Sequence, residues 1–249
     1  MNVVFLTADD PLYLPDFFEE VLARIPPHAA AVFRVPPLYA RQSSLSAAWR
    51  YARTFGFSSA VRLASRVARA RLAGRSIEGV CRKHGVPCDV APDVNAPAFL
   101  DALAARAPDL VVSVSCPQIF RARLIALPQR GLVNVHGAIL PEYRGVLPAF
   151  WMLANGEARA GVSVHFVNEG IDTGDLCGQE TFEIPPGDSL DAFLRRSKRV
   201  AADLVVKVID AFAGGTVSRR PIDARAGSYY SWPDRAAVAR FRARGRRVW

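Results

Sequence analysis

Four stretches of this chain, Asn2 to Thr7, Ala30 to Val35, Asp109 to Ser115 and Gly131 to Gly137, are strand-length runs that stay apolar almost throughout. A run without polar alternation suits a strand covered on both faces, and helical patterns separate these runs along the chain. A chain that returns to such a strand after each helix builds a parallel sheet with crossover helices, so an α/β architecture with a mostly parallel sheet flanked by helices is expected.

The first helix is marked by Phe17, Phe18, Val21 and Leu22, and the second strand is closed by Pro36-Pro37. Ile77 to His84 reads as a helix stopped by Gly85, Pro87 to Val90 as a short strand, and Ala98 to Ala105 as a helix. Downstream come a helix over Ala149 to Asn155 ended by Gly156, strands over Gly161 to Val167 and Leu176 to Ile184, and a long helix from Leu190 to Ala213 ended by Gly214-Gly215. A short strand is expected near Thr216 to Ser218, followed by an aromatic cluster at Tyr229, Tyr230 and Trp232 and a basic segment from Arg235 to Arg247. Residues 1–215 are therefore read as one domain and residues 216–249 as a short extension packed on it.

The stretch from about residue 41 to 75 departs from this α/β rhythm. It is helical in pattern and rich in arginine, and the chain has no Asp or Glu between Val21 and Ile77. Arg50, Arg53, Arg62, Arg66 and Arg69 are spaced so that several share a helical side. This is either a basic insertion that receives an anion or an anionic membrane surface, or the solvated side of two packed helices. The net charge of +9 suits an anionic partner, but lysine occurs only at Lys83, Lys198 and Lys207, and such a bias toward arginine also fits a general compositional preference.

Several classes are set aside. The first strand-to-helix turn lacks G-x-G-x-x-G, so a dinucleotide site of that type is not expected. Cys81, Cys88, Cys116 and Cys177 are dispersed, as are the four histidines, which suggests neither a disulfide framework nor a metal site. The N-terminus lacks a signal-peptide pattern and no stretch of 18 apolar residues runs without charge, so a cytoplasmic protein with no membrane span is expected.

Within the run Gly131 to Gly137, Asn134 and His136 lie two apart and so share a strand face, and the proline- and glycine-containing loop after them leaves that end open. The strand Asp109 to Ser115 feeds the loop Cys116 to Phe120. In open α/β sheets, ligands sit beyond the carboxyl ends of strands, which places that loop and the Asn134/His136 pair in one crevice. Further on, the turn Asp172-Thr173-Gly174-Asp175 carries two acids, of which Asp172 is the candidate to turn inward. His165 reads as a structural histidine.

Three stretches, NVHGAILPEYRG (134–145), VLPAFWMLANGE with GVSVHFV (146–167), and IDTGDL (171–176), together resemble the 10-formyltetrahydrofolate-dependent formyltransferases, the group that includes glycinamide ribonucleotide, methionyl-tRNA and amino-sugar formyltransferases. The resemblance covers roughly residues 77 to 215 and implies a Rossmann-like formyltransferase fold. It implies that Asn134, His136 and Asp172 are the catalytic trio, and that Cys116, Gln118, Ile119 and Phe120, with Glu169, Gly170 and Ile171, hold the folate. The segment contributing Gly137, Ala138, Leu140, Pro141, Tyr143, Arg144 and Gly145 is the expected acceptor side. The implied reaction passes a formyl group from 10-formyltetrahydrofolate to an amine without a metal. Asn134 and a His136 made cationic by Asp172 would stabilise the tetrahedral intermediate, and Asp172 would assist proton transfer.

Only residues 216–249 follow Gly214-Gly215, whereas the methionyl-tRNA member carries an RNA-binding C-terminal domain. A small-molecule amine, on a nucleotide-linked sugar or a specialised metabolite, is therefore the expected acceptor, nucleic acid is not expected, and a homodimer is open to the chain. The competing readings are a methionyl-tRNA formyltransferase-like or other nucleic-acid-binding protein using the arginines, and a folate-binding relative without catalysis.

Overall fold

A computed structural model describes residues 1–37 and 44–249. In chain order the elements are β1 (Val3–Thr7), α1 (Leu14–Leu22), β2 (Ala30–Arg34), α2 (Ser44–Phe55), α3 (Phe57–Leu72), α4 (Ile77–Lys83), β3 (Cys88–Val90), α5 (Pro97–Ala105), β4 (Leu110–Val114) and α6 (Ala122–Ile125). They continue with β5 (Gly131–His136), β6 (Arg144–Gly145), α7 (Pro148–Asn155), β7 (Arg159–Phe166), β8 (Leu176–Glu183), α8 (Leu190–Ala213), β9 (Tyr229–Tyr230) and α9 (Arg235–Ala243).

Seven strands form one sheet in the order β3-β2-β1-β4-β5-β7-β8. The first five run parallel, and β7 and β8 are antiparallel to their neighbours. The apolar runs behave as their composition dictates: every residue of β1 and β4 is buried. One face of the sheet packs Phe5, Val112 and Val133 against Phe17 and Phe18 of α1 and Val205 and Ile209 of α8. The other packs Leu6 and Val111 against Leu100 and Leu103 of α5. The chain crosses from the β2 side of β1 to the β4 side, so a crevice opens beyond the carboxyl ends of β1, β4 and β5.

Residues 216–249 close the end of the sheet. β9 pairs in parallel with β6, and Ala237, Val238 and Phe241 of α9 join a cluster with Phe150 and Leu153 of α7 and Phe55 of α2. The strand expected near Thr216 to Ser218 does not form, because the Thr216 amide is taken by the Ala211 carbonyl at the end of α8; just beyond, Arg220 makes a single antiparallel bridge with Leu176. The Asp234 side chain caps α9 by accepting from the Ala237 amide at 2.7 Å. Asp234→Ala is expected to lower stability by about 1 kcal/mol in urea unfolding, with Asp234→Asn retaining most of the wild-type value.

The start of the arginine-rich stretch, residues 41–43, lies outside the described residues. The rest is the hairpin of α2 and α3. Phe55 is buried, Arg50 stacks over Trp232, and the Trp232 indole donates to Thr54 Oγ1, so the hairpin and the extension cover each other.

Candidate active site

The three polar residues singled out in the motifs arrive from two elements. β5 ends with Asn134 and His136 at the crevice, and the turn after β7 delivers Asp172 in the left-handed region, φ 53°. The turn closes tightly: a Cβ on Gly174 would lie 1.9 Å from the Phe166 carbonyl oxygen, so glycine is required for the backbone to pass. Asp172 Oδ2 accepts from the Gly145 amide at 2.9 Å. It lies 3.5 Å from His136 Nδ1, while Oδ1 lies 3.5 Å from Asn134 Nδ2 and 3.4 Å from His165 Nε2.

Burial opposes the Asp172 charge, yet the His165 hydrogen bond, the His136 ring and the Gly145 amide more than offset it and hold the carboxyl at about 2. Asn134 is aimed by Ser113, whose hydroxyl donates to Oδ1 at 2.8 Å. The amide nitrogen therefore points to the side where Asp172 and His165 lie. His165 Nδ1 donates to the Phe166 carbonyl at 2.7 Å, leaving Nε2 to face Asn134 and Asp172. It is part of the cluster and not a separate core histidine. It joins through the pairing of the strands, because His165 sits opposite Asn134 in the β5/β7 register.

His136 differs from the cationic donor that the sequence suggested. Its Nε2 lies 2.9 Å from the Tyr143 carbonyl, to which it donates, leaving Nδ1 toward Asp172. Burial pushes its pKa below the ordinary value of 6.5, and this outweighs the pull of Asp172 in the other direction. The ring is neutral near pH 7, with its basic nitrogen beside a carboxylate that stabilises the proton it takes up.

This has a consequence for stability. Between the folded and unfolded pKa values the unfolded chain binds the extra proton, so this residue's contribution falls as pH drops below about 6.5. Thermal midpoints measured on either side of that value should show a shallower pH dependence in His136→Gln.

Two cavities flank the cluster. The first, of about 190 Å³, is lined by all seven residues expected to hold the folate, together with Ser113, Asn134 and Asp172. Gln118, however, spends its amide on the scaffold: Oε1 accepts from the Val94 amide and Nε2 donates to the Pro36 and Pro92 carbonyls. It shapes the loop, and both of its amide N–H donors are taken by the scaffold. Ile119 and Ile171 stand 75% and 48% exposed at the mouth, leaving apolar surface for a flat ring to cover.

The second cavity, of about 470 Å³, lies on the other side and is lined by His136, Gly137, Gly145, Asp10, Tyr13 and Lys198 among others. Cys116, Asn134 and Asp172 line both cavities. Of the seven residues expected on the acceptor side, only Gly137 and Gly145 line this one. Ala138, Leu140 and Tyr143 are buried, and Pro141 lies against Gly227. The Tyr143 hydroxyl bonds Glu157 and its ring stacks on Tyr230, while Arg144 reaches the Ala224 carbonyl. The segment folds inward because residues 228–230 draw it into a strand pair, with Arg144 N donating to Ser228 O at 3.0 Å and Val146 N to Tyr230 O at 2.8 Å.

Sequence reasoning missed Asp10, Tyr13 and Lys198. Lys198 Nζ donates to Ser115 Oγ at 2.7 Å, and burial draws its pKa down to about 8 against the pull of Asp10. Burial in turn pushes Asp10 up. The rarity of lysine in this chain was the available signal.

A family model described as formyl transferase matches residues 69–209. The methionyl-tRNA formyltransferase of Syntrophus aciditrophicus (strain SB) is 35% identical over 144 residues, which are 58% of this chain and 46% of that protein. The chain thus spans about half the length of the curated relatives it matches. Among solved structures, an N-formyltransferase from Helicobacter canadensis, in complex with folinic acid and dTDP-3-aminofucose, has a TM-score of 0.60 at 18% identity, covering 93% of this chain and 71% of that one. Glycinamide ribonucleotide transformylase 1 from Symbiobacterium toebii has a TM-score of 0.58 at 20% identity, covering 90% and 95%. These structural likenesses show a shared fold.

Proposed function

Since the chain belongs to the formyl transferase family, we propose that it moves a formyl group from 10-formyltetrahydrofolate to the amine of a small molecule, such as a nucleotide-linked amino sugar or a specialised-metabolite amine. The observation that carries this reading is the meeting of two cavities at Asn134 and Asp172. Group transfer needs two ligands whose reacting atoms come together at shared polar residues.

The smaller cavity fits the folate ring, with Ile119, Phe120, Val167 and Ile171 as apolar walls and the backbone of residues 168–171 along one edge. When bound there, the folate supplies the formyl carbon. The acceptor amine enters from the larger cavity and forms a C–N bond to that carbon. Asn134 Nδ2 donates to the formyl oxygen as it gains negative charge. His136 Nδ1 takes the proton from the attacking nitrogen, Asp172 stabilises the resulting imidazolium, and the proton passes to the folate nitrogen as its C–N bond breaks. Lys198 and Asp10 meet polar groups of the acceptor at the far wall.

The sequence match to methionyl-tRNA formyltransferases favours one second reading, an aminoacyl-tRNA acceptor. The test of both is release of tetrahydrofolate by purified protein given 10-formyltetrahydrofolate and a panel of dTDP-amino sugars, hydroxylated ornithine and methionyl-tRNA. Turnover only with the tRNA would move the assignment to the second reading, and binding of the folate without turnover on any amine would support a folate-binding relative that no longer catalyses.

A further inference from the structure

Helix α3 has two apolar sides, and only one of them faces the protein. Ala70 is buried, Leu63 and Val67 are half-buried, and Arg66 bonds Asp191 at 2.8 Å while stacking over Trp249. These contacts fix the inner side to α8 and to the C-terminal segment. Phe57, Val61, Ala64, Ala68 and Leu72 recur at intervals of three and four residues, which places them in one stripe on the opposite side. All five are exposed, Phe57 at 75%, Val61 at 53% and Leu72 at 88%. A helix of 16 residues gives this stripe a length of roughly 24 Å.

Arginines border the stripe. Arg62 and Arg69 lie along one flank and Arg71 along the other, and among the described residues none of the three has an acidic partner. The Arg69 flank leads to a cavity of about 280 Å³ in which Arg66 and Arg195 pair with Asp191 and Arg75 with Asp16, so that of its four arginines Arg69 is the one facing outward without an acidic partner among the described residues. No acid occurs from Val21 to Ile77. On the neighbouring helix, Trp49 is 65% exposed.

We propose that the outer side of α3 docks on an anionic lipid surface, with the stripe entering the headgroup region and the flanking arginines meeting lipid phosphates. An apolar stripe bordered by arginine and open to water is the pattern of a helix that lies in the plane of a membrane interface. Charge selects this occupant over two others. A second copy would set one arginine-flanked stripe against another with no acid to balance them. RNA would meet the arginines but leave Phe57, Val61 and Leu72 in water. The helix lies on the surface and does not cross: no helix among the described residues is long and apolar enough to span a bilayer.

The full-length chain is mixed with vesicles of phosphatidylcholine alone or of equal parts phosphatidylcholine and phosphatidylglycerol, and sedimented. Binding to the anionic vesicles only is expected. Phe57→Ser with Leu72→Ser should weaken it roughly tenfold or more, and each of Arg62→Gln and Arg69→Gln about fivefold, with the loss reproduced by salt. All four side chains are exposed, and circular dichroism of each variant checks that the fold is kept. Protein that stays in the supernatant with anionic vesicles overturns the proposal, as does binding that survives the paired serine variant. A wild-type dimer that the serine pair dissolves, without vesicle binding, assigns the stripe to self-association instead. Binding to RNA that responds to the arginine variants but not to the serine pair, without vesicle binding, assigns the flanks to nucleic acid.

Discussion

Asn134→Ala is expected to lower turnover by roughly two to three orders of magnitude, equivalent to about 2.7 to 4 kcal/mol of barrier. The magnitude follows from the role proposed for Asn134. Its amide lies where both cavities meet, and its orientation is set by the Ser113 hydroxyl at 2.8 Å. With the His136 Nε2 proton committed to the Tyr143 carbonyl, Asn134 Nδ2 is the donor left for an oxygen that becomes charged. The loss should fall on kcat, with folate affinity changed by a few fold at most, because the interaction forms fully only in the transition state. Ser113→Ala offers a graded control, loosening the amide without removing it, and should cost less. Single-turnover rates decide the matter: chemistry in Asn134→Ala within a few fold of wild type would remove Asn134 from the reaction.

Asp172→Asn is expected to cost about two to four orders of magnitude in kcat and to change the pH profile as well. The carboxylate accepts from Gly145 and faces both imidazoles, so asparagine keeps the shape and loses the charge. Because Asp172 favours the protonated form of His136, removing its charge lowers the His136 pKa further. The acid limb of kcat/KM therefore moves to lower pH while its plateau drops. A second signature lies in acid unfolding. The folded carboxyl sits at about 2, below its unfolded value near 3.8, so its stabilising contribution is complete above the unfolded value and lost as pH falls toward 2. Asp172→Asn should flatten that part of the stability curve. An unchanged acid limb, measured in the same buffers, would show that His136 and Asp172 are not coupled in the reaction.

The sheet was readable because burial on both faces leaves a mark on consecutive residues, as in Val3 to Thr7 and Leu110 to Val114. The grouping of Asn134, His136 and Asp172 was readable because its members lie in short motifs. What local pattern cannot carry is partnership across the chain. His165 joins the cluster through its register opposite Asn134 on β7, and Lys198 reaches Ser115 from a helix beginning at Leu190. Proximity to a motif also misled in the segment from Ala138 to Arg144. Ala138, Leu140 and Tyr143 turn inward for packing, and the cleft keeps only the glycines at the two ends of the expected set. The charge of His136 was misjudged for a different reason: the sequence shows a nearby acid but not the depth of burial, and burial dominates.

The two-residue pairing of Arg144-Gly145 with Tyr229-Tyr230 bears on how such proteins can be recombined. Gly145 holds Asp172 through its amide, and a Cβ at Gly145 would fall 2.3 Å from the Tyr230 carbonyl oxygen. The segment after residue 215 is therefore not an interchangeable module. A chimera that grafts another tail onto this core must bring a backbone carbonyl to the place of Tyr230 O and leave the glycine room beside it. Otherwise the amide that fixes the carboxylate drifts, even though every residue of the trio is retained. At the site itself, tail and core meet through two residues of backbone.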